Sequence, residues 1–218
     1  MLRKLIAIVM ISVAAGASPS ATTLIPGVTS RLILEGSSNV TDWRCTGTSL
    51  EGEMSVAAPL DKINAVIDRI EDGNIAVWMA NPAEGRFAQP RFRMRIPIAN
   101  FRCGNRVMER DMSQALKADR HPVIDFEFTE LRGNVNHDLD AQNYQAKIAG
   151  QLMLAGASRE VEVLVRAERI APDQFRIRAE LPVRMTDFGI RPPVALFGMV
   201  KAKDELLVRF DLTLKAAS

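Results

Sequence analysis

QFRIRAELPVRM, from Gln174 to Met185, decides the fold. Phe175, Ile177, Ala179, Leu181, Val183 and Met185 alternate with Arg176, Arg178, Glu180, Pro182 and Arg184. Successive side chains of a strand point to opposite faces, so this stretch has one apolar face and one charged face. No other strand in the chain is so clean. A corner follows: Thr186-Asp187-Phe188-Gly189 turns sharply, Pro192-Pro193 stiffens the backbone, and Val194 to Phe197 is apolar. Gly189 suits a turn conformation closed to other residues, Phe188 is expected to pack, and Asp187 to accept backbone N–H groups. The apolar tail of the corner is expected to close or gate one mouth of the sheet.

The same alternation spreads in both directions. Val161, Val163, Val165 and Ala167 oppose Glu162, Leu164, Arg166 and Glu168. Val208, Phe210, Leu212 and Leu214 oppose Arg209, Asp211, Thr213 and Lys215. Earlier, Phe92, Met94, Ile96 and Ile98 oppose Arg93, Arg95 and Pro97, and Ile124, Phe126 and Phe128 oppose Asp125, Glu127 and Thr129. Arg31–Glu35, Val40–Met54 and Tyr144–Leu154 are further strands, with Gly47 and Gly52 marking a bulge or a close backbone approach. Asp72-Gly73 between the apolar runs Lys62–Ile70 and Asn74–Ala80 is a hairpin signal. Only Asn105–Ala118 changes period. Met108, Met112, Ala115 and Leu116 recur at helical spacing, and Asn105 can cap the start.

Eight to ten strands, one helix and short turns imply antiparallel neighbours in an all-β sandwich or barrel. Apolar-in, charged-out alternation suits a barrel in water, since an outer-membrane barrel is apolar outside. A barrel of about eight strands has room for one small apolar ligand.

The N-terminus adds an address. Arg3 and Lys4 precede the apolar run Leu5–Ala15, too short to span a bilayer, and Ala15-Gly16-Ala17 supplies small residues for cleavage. Residues 1–17 read as a cleavable signal peptide, with Ala21 as the alternative cut. Residues 18–29 read as a disordered lead-in, and 30–216 as the domain. No later run is long enough for a transmembrane helix, and no stable membrane anchor is expected. Lys and Arg are spread along the chain and the net charge is +2, which speaks against nucleic acid.

The two cysteines, Cys45 and Cys103, admit one intramolecular disulfide, which an even count in an exported chain favours; two buried free thiols are the alternative. No CxxC pair supports redox chemistry. His121 and His137 lack metal-ligand spacing, there is no GxSxG, and the Asp187-Phe188-Gly189 tripeptide stands without the other kinase motifs. No catalytic or metal site is expected, and no cofactor.

Four stretches then occur in order: Ser37, Val40 and Trp43 in S-x-x-V-x-x-W; Gly104–Phe128, containing His121-Pro122-Val123-Ile124-Asp125-Phe126; Leu154–Val163; and Met185–Gly198. Together they resemble the YceI-like family of periplasmic proteins over about Arg31–Lys215. The resemblance implies a lipocalin-like antiparallel barrel, not an enzyme, that holds a polyisoprenoid, a quinone or a fatty amide. It also implies a periplasmic location and strengthens the Cys45–Cys103 pairing. The inward set expected to line the ligand is Phe92, Met94, Ile96, Phe126, Phe128, Val163, Val165, Phe175, Ile177, Leu181, Phe210 and Leu212, with Met108 and Met112 over one mouth. The partner is then a lipophilic small molecule, such as a bound isoprenoid or other lipid, and a homodimer is left open. The rival reading is an envelope interaction or stress protein, without enzymatic activity, whose barrel is filled.

Overall fold

The computed structural model describes residues 21–71, 90–138 and 143–217. Its twelve strands are β1 (Thr22–Pro26), β2 (Arg31–Ser38), β3 (Asp42–Gly47), β4 (Glu51–Val56), β5 (Arg91–Pro97), β6 (Phe101–Arg102), β7 (Val123–Asp138), β8 (Asn143–Leu154), β9 (Ala157–Ala171), β10 (Gln174–Arg184), β11 (Val194–Ala195) and β12 (Val200–Ala216). Among the described residues two α-helices interrupt them, α1 (Leu60–Glu71) and α2 (Arg106–Ala115).

All pairings are antiparallel, and they close on themselves. The ring runs β1-β4-β5-β7-β8-β9-β10-β12 and returns to β1. The remaining main strands extend it. β12 pairs with β1 at Leu24↔Ala216 and with β2 at Phe210↔Leu32, so β1 and β2 are two halves of one broken strand. β3 and β4 form the next position, pairing with β2 and β1, and β5 and β6 the one after. The result is an eight-position up-and-down barrel with three kinked positions.

The first two kinks each have a chemical device. Between β1 and β2 the chain loops out at residues 27–30, and Ser30, only 1% exposed, turns its hydroxyl onto β12. It donates to the Thr213 carbonyl at 3.1 Å and accepts from the Thr213 N–H at 3.0 Å, standing in for strand backbone. At Gly47 the Phe101 ring lies 2.9 Å from where a Cβ would be, and at Gly52 the Arg93 carbonyl lies 2.4 Å from one. The close approach expected at both glycines is therefore real, and each leaves no room for a side chain.

The inner wall is apolar, with Leu32, Met94, Ile96 and Leu214 almost completely buried. Full burial of such a side chain contributes about 1.5–3 kcal/mol. The outer wall is a mesh of ion pairs. Arg93 and Arg95 bracket Asp125 at 2.7 and 3.7 Å, Arg31 and Arg176 bracket Asp211 at 2.8 Å each, and Arg209 stands between Glu35 and Glu180 at 3.3 and 3.1 Å. A wall so charged belongs in water, not among acyl chains.

One ladder is incomplete. β9 and β10 pair from Gln174↔Ala171 to Glu180↔Leu164 and no further. Beyond that point β9 pairs with β8 alone, and β10 with β12 alone. Pro182 has no N–H to offer across the gap. The turn Met185–Phe188, whose Met185 and Phe188 are buried, packs against β9 there.

Four expectations are corrected. The disordered lead-in at residues 18–29 contains β1, because Leu24 is buried between β4 and β12. The first arm of the Asp72-Gly73 hairpin is the helix α1 instead: Leu60, Ile63 and Ile67 recur at three and four residues, Pro59 opens the first turn, and Asp61 suits the positive helix start. The second arm, Asn74–Ala80, and the signal peptide at residues 1–17 lie outside the described residues. The apolar tail of the corner closes no mouth: Val194 is exposed and Phe197 fully so. Within that corner Gly189 is left-handed at φ 65°, but the acceptor is Asp204, not Asp187. Asp204 takes the N–H of Thr186 at 2.9 Å and its hydroxyl at 2.6 Å.

Candidate functional site

Burial falls along the barrel from one end to the other. On β10, Leu181 and Ala179 are buried while Ile177 and Phe175 are only half-buried. On β9, Val163 is buried and Val165 and Ala167 are half-buried. Phe126 gives way to Phe128 on β7, and Leu152 to Ile148 on β8, in the same sense. Across the bore, Leu212, Leu214 and Leu24 stay buried. One end of the barrel therefore presents an accessible apolar wall on β7–β10, joined by half-buried Met54 of β4.

α1 is fastened over that end by polar contacts. Asn64 donates to the Pro172 carbonyl at 2.8 Å, Asp68 pairs with Arg169 at 2.7 Å, and the Tyr144 hydroxyl donates to the Ile67 carbonyl at 3.4 Å. Asn64 and Asp68 are one helical turn apart, so a single face of α1 meets the turn between β9 and β10 and the strands beside it.

A floor lies at mid-barrel. Phe126 of β7 and Phe210 of β12 sit on opposite walls, yet their ring centroids are 6.3 Å apart, and Phe92 stands 6.2 Å from Phe126. Tilted rings at this spacing attract one another. Beyond the floor the barrel is packed. A wholly apolar cavity of about 30 Å³ remains there, bounded by Phe126, Phe210, Ile96, Leu154, Val183 and Leu116 among others. That is about the volume of one water in the liquid, and a cavity with no polar partner stays dry.

α2 covers this packed end. The Asn105 side chain caps it by accepting from the Met108 N–H at 2.8 Å. Met108, Met112 and Ala115 are half-buried against the core, and Leu116, at the helix terminus, reaches the cavity. The disulfide Cys45–Cys103 joins β3 to the segment leading into α2, with Cα atoms 4.1 Å apart, and the Met112 thioether lies 3.8 Å from the Cys103 sulfur.

All twelve inward residues expected from alternation face the bore. Phe92, Met94, Ile96, Phe126, Val163, Leu181, Phe210 and Leu212 are buried, and Phe128, Val165, Phe175 and Ile177 are half-buried. Only Ile96, Phe126 and Phe210 of that set touch the small cavity. Leu32, Leu34, Leu152 and Leu116 touch it too, and alternation or helical spacing could have found each of them. The contribution of α1 was hidden by the hairpin reading.

Among the described residues no three of His, Cys, Asp or Glu are grouped to hold a metal ion, and both cysteines are bonded. Charge is tuned on the outside. Hydrogen bonds from Arg176 and then Arg31 hold the Asp211 carboxyl below its ordinary range, against the opposing effect of partial burial. The Thr186 hydroxyl and N–H lower that of Asp204.

The YceI-like domain profile matches residues 38–214. Among solved structures, a polyisoprenoid binding domain from Saccharophagus degradans, implicated in plant cell wall breakdown, superposes with a TM-score of 0.62 at 10% identity, covering 91% of this chain and 100% of that one. BcnA from Burkholderia cenocepacia superposes with a TM-score of 0.57 at 13% identity, covering 84% of this chain and 95% of that one. Identities this low speak for a shared fold. No curated protein matches the sequence.

Proposed function

The chain belongs to the YceI-like domain family, and from that premise we propose that it is a carrier, not an enzyme, holding one long lipophilic chain of the isoprenoid, quinone or fatty-amide kind. One observation carries the reading: the half-buried apolar wall of Phe128, Ile148, Val165, Phe175 and Ile177 at the end spanned by α1. Apolar surface left accessible inside a barrel is stabilised when a ligand removes it from water, at about 25 cal/mol per Å², less the cost of ordering the chain. The polyisoprenoid-binding Saccharophagus domain with the same fold supports this class of ligand.

The ligand enters beneath α1 and rests on the aromatic floor. Beyond the floor, about 30 Å³ admits no long chain, since ligand pockets span roughly 300–1,000 Å³. The same reading places the carrier in the periplasm once residues 1–17 are removed.

Native mass spectrometry of protein taken from a periplasmic extract tests the proposal. A mass excess of several hundred daltons, released as a lipid by organic extraction, is expected. A native mass equal to that of the processed, disulfide-bonded chain would favour the rival reading, a filled barrel acting by docking to an envelope partner. The tight packing beyond the floor is the observation on that side.

A further inference from the structure

The exposed hairpin at the end of the corner lies off the barrel's ring of strands. β11 pairs with β12 at Val194↔Lys201 and Ala195↔Val200, and the chain turns between them at Leu196–Gly198. Phe197 at the tip is fully exposed, and Val194 and Met199 beside it are exposed as well. Phe197 also holds φ 55°, ψ 31°, a left-handed conformation that disfavours an aromatic side chain. Glycine would fit there at no cost. A bulky ring in a strained conformation, facing water, needs something outside the chain to repay it.

The tip is firmly mounted. The Asn39 side chain donates to the Met199 carbonyl at 2.8 Å and accepts from the Lys201 N–H at 2.8 Å, while the Asn39 N–H donates to the Lys201 carbonyl at 3.1 Å. These bonds tie the segment before exposed Val40 to the hairpin, which itself exposes Val194, Phe197 and Met199. Cations flank it. Arg191, Lys201 and Lys203 are exposed, and none makes an ion pair among the described residues. Of the acids nearest in sequence, Asp204 is bonded by Thr186 and Glu205 is paired with Arg184 at 4.0 Å, while Asp187, four positions before Arg191, is exposed.

We propose that the tip around Phe197 is a membrane-docking finger, which inserts its ring among the acyl chains of an anionic bilayer while Arg191, Lys201 and Lys203 lie on the head groups. An apolar protrusion supplies area, and the cations supply attraction to anionic lipid; each is weak alone, and together they give reversible attachment. The finger projects from the end of the barrel that α2 covers, since Leu206, which follows the hairpin closely on β12, lines the same cavity as Leu116. The docked barrel therefore stands upright, with its α1 end away from that bilayer.

Sedimentation of the full chain with vesicles tests this. Wild type is expected to co-sediment with phosphatidylglycerol-containing vesicles, less with pure phosphatidylcholine, and less in high salt. Phe197→Asp is expected to lower partitioning at least tenfold, roughly what removing one buried aromatic implies. Phe197→Gly separates docking from folding: it relieves the left-handed strain, so its melting temperature rises, while its vesicle binding falls like that of Phe197→Asp. Lys201→Glu combined with Lys203→Glu should abolish the preference for anionic vesicles. Wild type that stays in the supernatant, or Phe197→Gly that binds as wild type does, overturns the proposal. So does a dimer that the substitutions dissolve without any vesicle binding, which would make the tip a self-association surface.

Discussion

The hydroxyl of Ser30 exchanges two hydrogen bonds with the backbone of Thr213, 183 positions away, and so joins the first strand pair to the last. The barrel closes through a side chain at that point. Ser30→Ala leaves the part-buried Thr213 N–H without its acceptor, which costs about 1 kcal/mol, the low end of the range for an unsatisfied buried group. Urea denaturation should show that loss with an unchanged m-value. A variant as stable as wild type would mean that water replaces the hydroxyl.

Ile177 and Leu212 face each other in the β10–β12 ladder but differ in burial. An aspartate at half-buried 177 can hydrate at the open end, while one at 212 cannot. Ile177→Asp is expected to fold, with a circular dichroism spectrum like wild type, and to lose co-purifying lipid. Leu212→Asp is expected not to fold, because an unpaired charge would be buried. Folded Ile177→Asp protein that retained lipid would show that the wall has been wrongly assigned as the site.

The Phe126–Phe210 floor limits how deep a ligand reaches. Phe126→Ala removes one side of it and joins the open half to the small cavity. The variant should lose about 3–5 kcal/mol of stability, and its bound lipids should shift to longer chains by mass spectrometry. An unchanged chain-length profile would mean that the floor does not set the depth.

Cys45 and Cys103 close a loop spanning 58 positions. Chain-entropy arguments give about 4 kcal/mol for such a crosslink. Reduction with dithiothreitol should lower the denaturation midpoint accordingly, and Cys45→Ser with Cys103→Ser should reproduce the loss and no longer respond to dithiothreitol.

Acid acts through Asp211. Its carboxyl titrates below the ordinary value because Arg176 and Arg31 bond the ionised form. A depressed folded value means that this stabilisation is complete above the unfolded value of about 4 and is lost as pH falls through the folded one. Asp211→Asn should be less stable than wild type at neutral pH, and the difference should vanish by about pH 2. A difference that persisted at about pH 2 would point to packing instead of charge.

Period-two alternation makes the barrel legible because a strand buried on one face must alternate; Phe175 to Met185 shows it without help from anything distant. What alternation misses is tertiary. Nothing near Leu24 indicates that β12 will pair with it, so residues 18–29 look unstructured. The three-and-four spacing of Leu60, Ile63 and Ile67 is present in the sequence, but Asp72-Gly73 is a louder local signal, and α1 is lost behind it. The floor is invisible for another reason: Phe126 and Phe210 are 84 positions apart and meet only once the barrel closes. The exposed tip defeats the pattern outright, because apolar residues are read as buried, and Phe197 is not.

The β9–β10 ladder that stops at Glu180↔Leu164 gives the cylinder a slit. A cylinder hydrogen-bonded all the way round has a fixed circumference, set by strand number and stagger. A slit one lacks that constraint along β10 beyond Glu180, where apolar packing of the buried pair Met185 and Phe188 against β9 stands in place of ladder bonds.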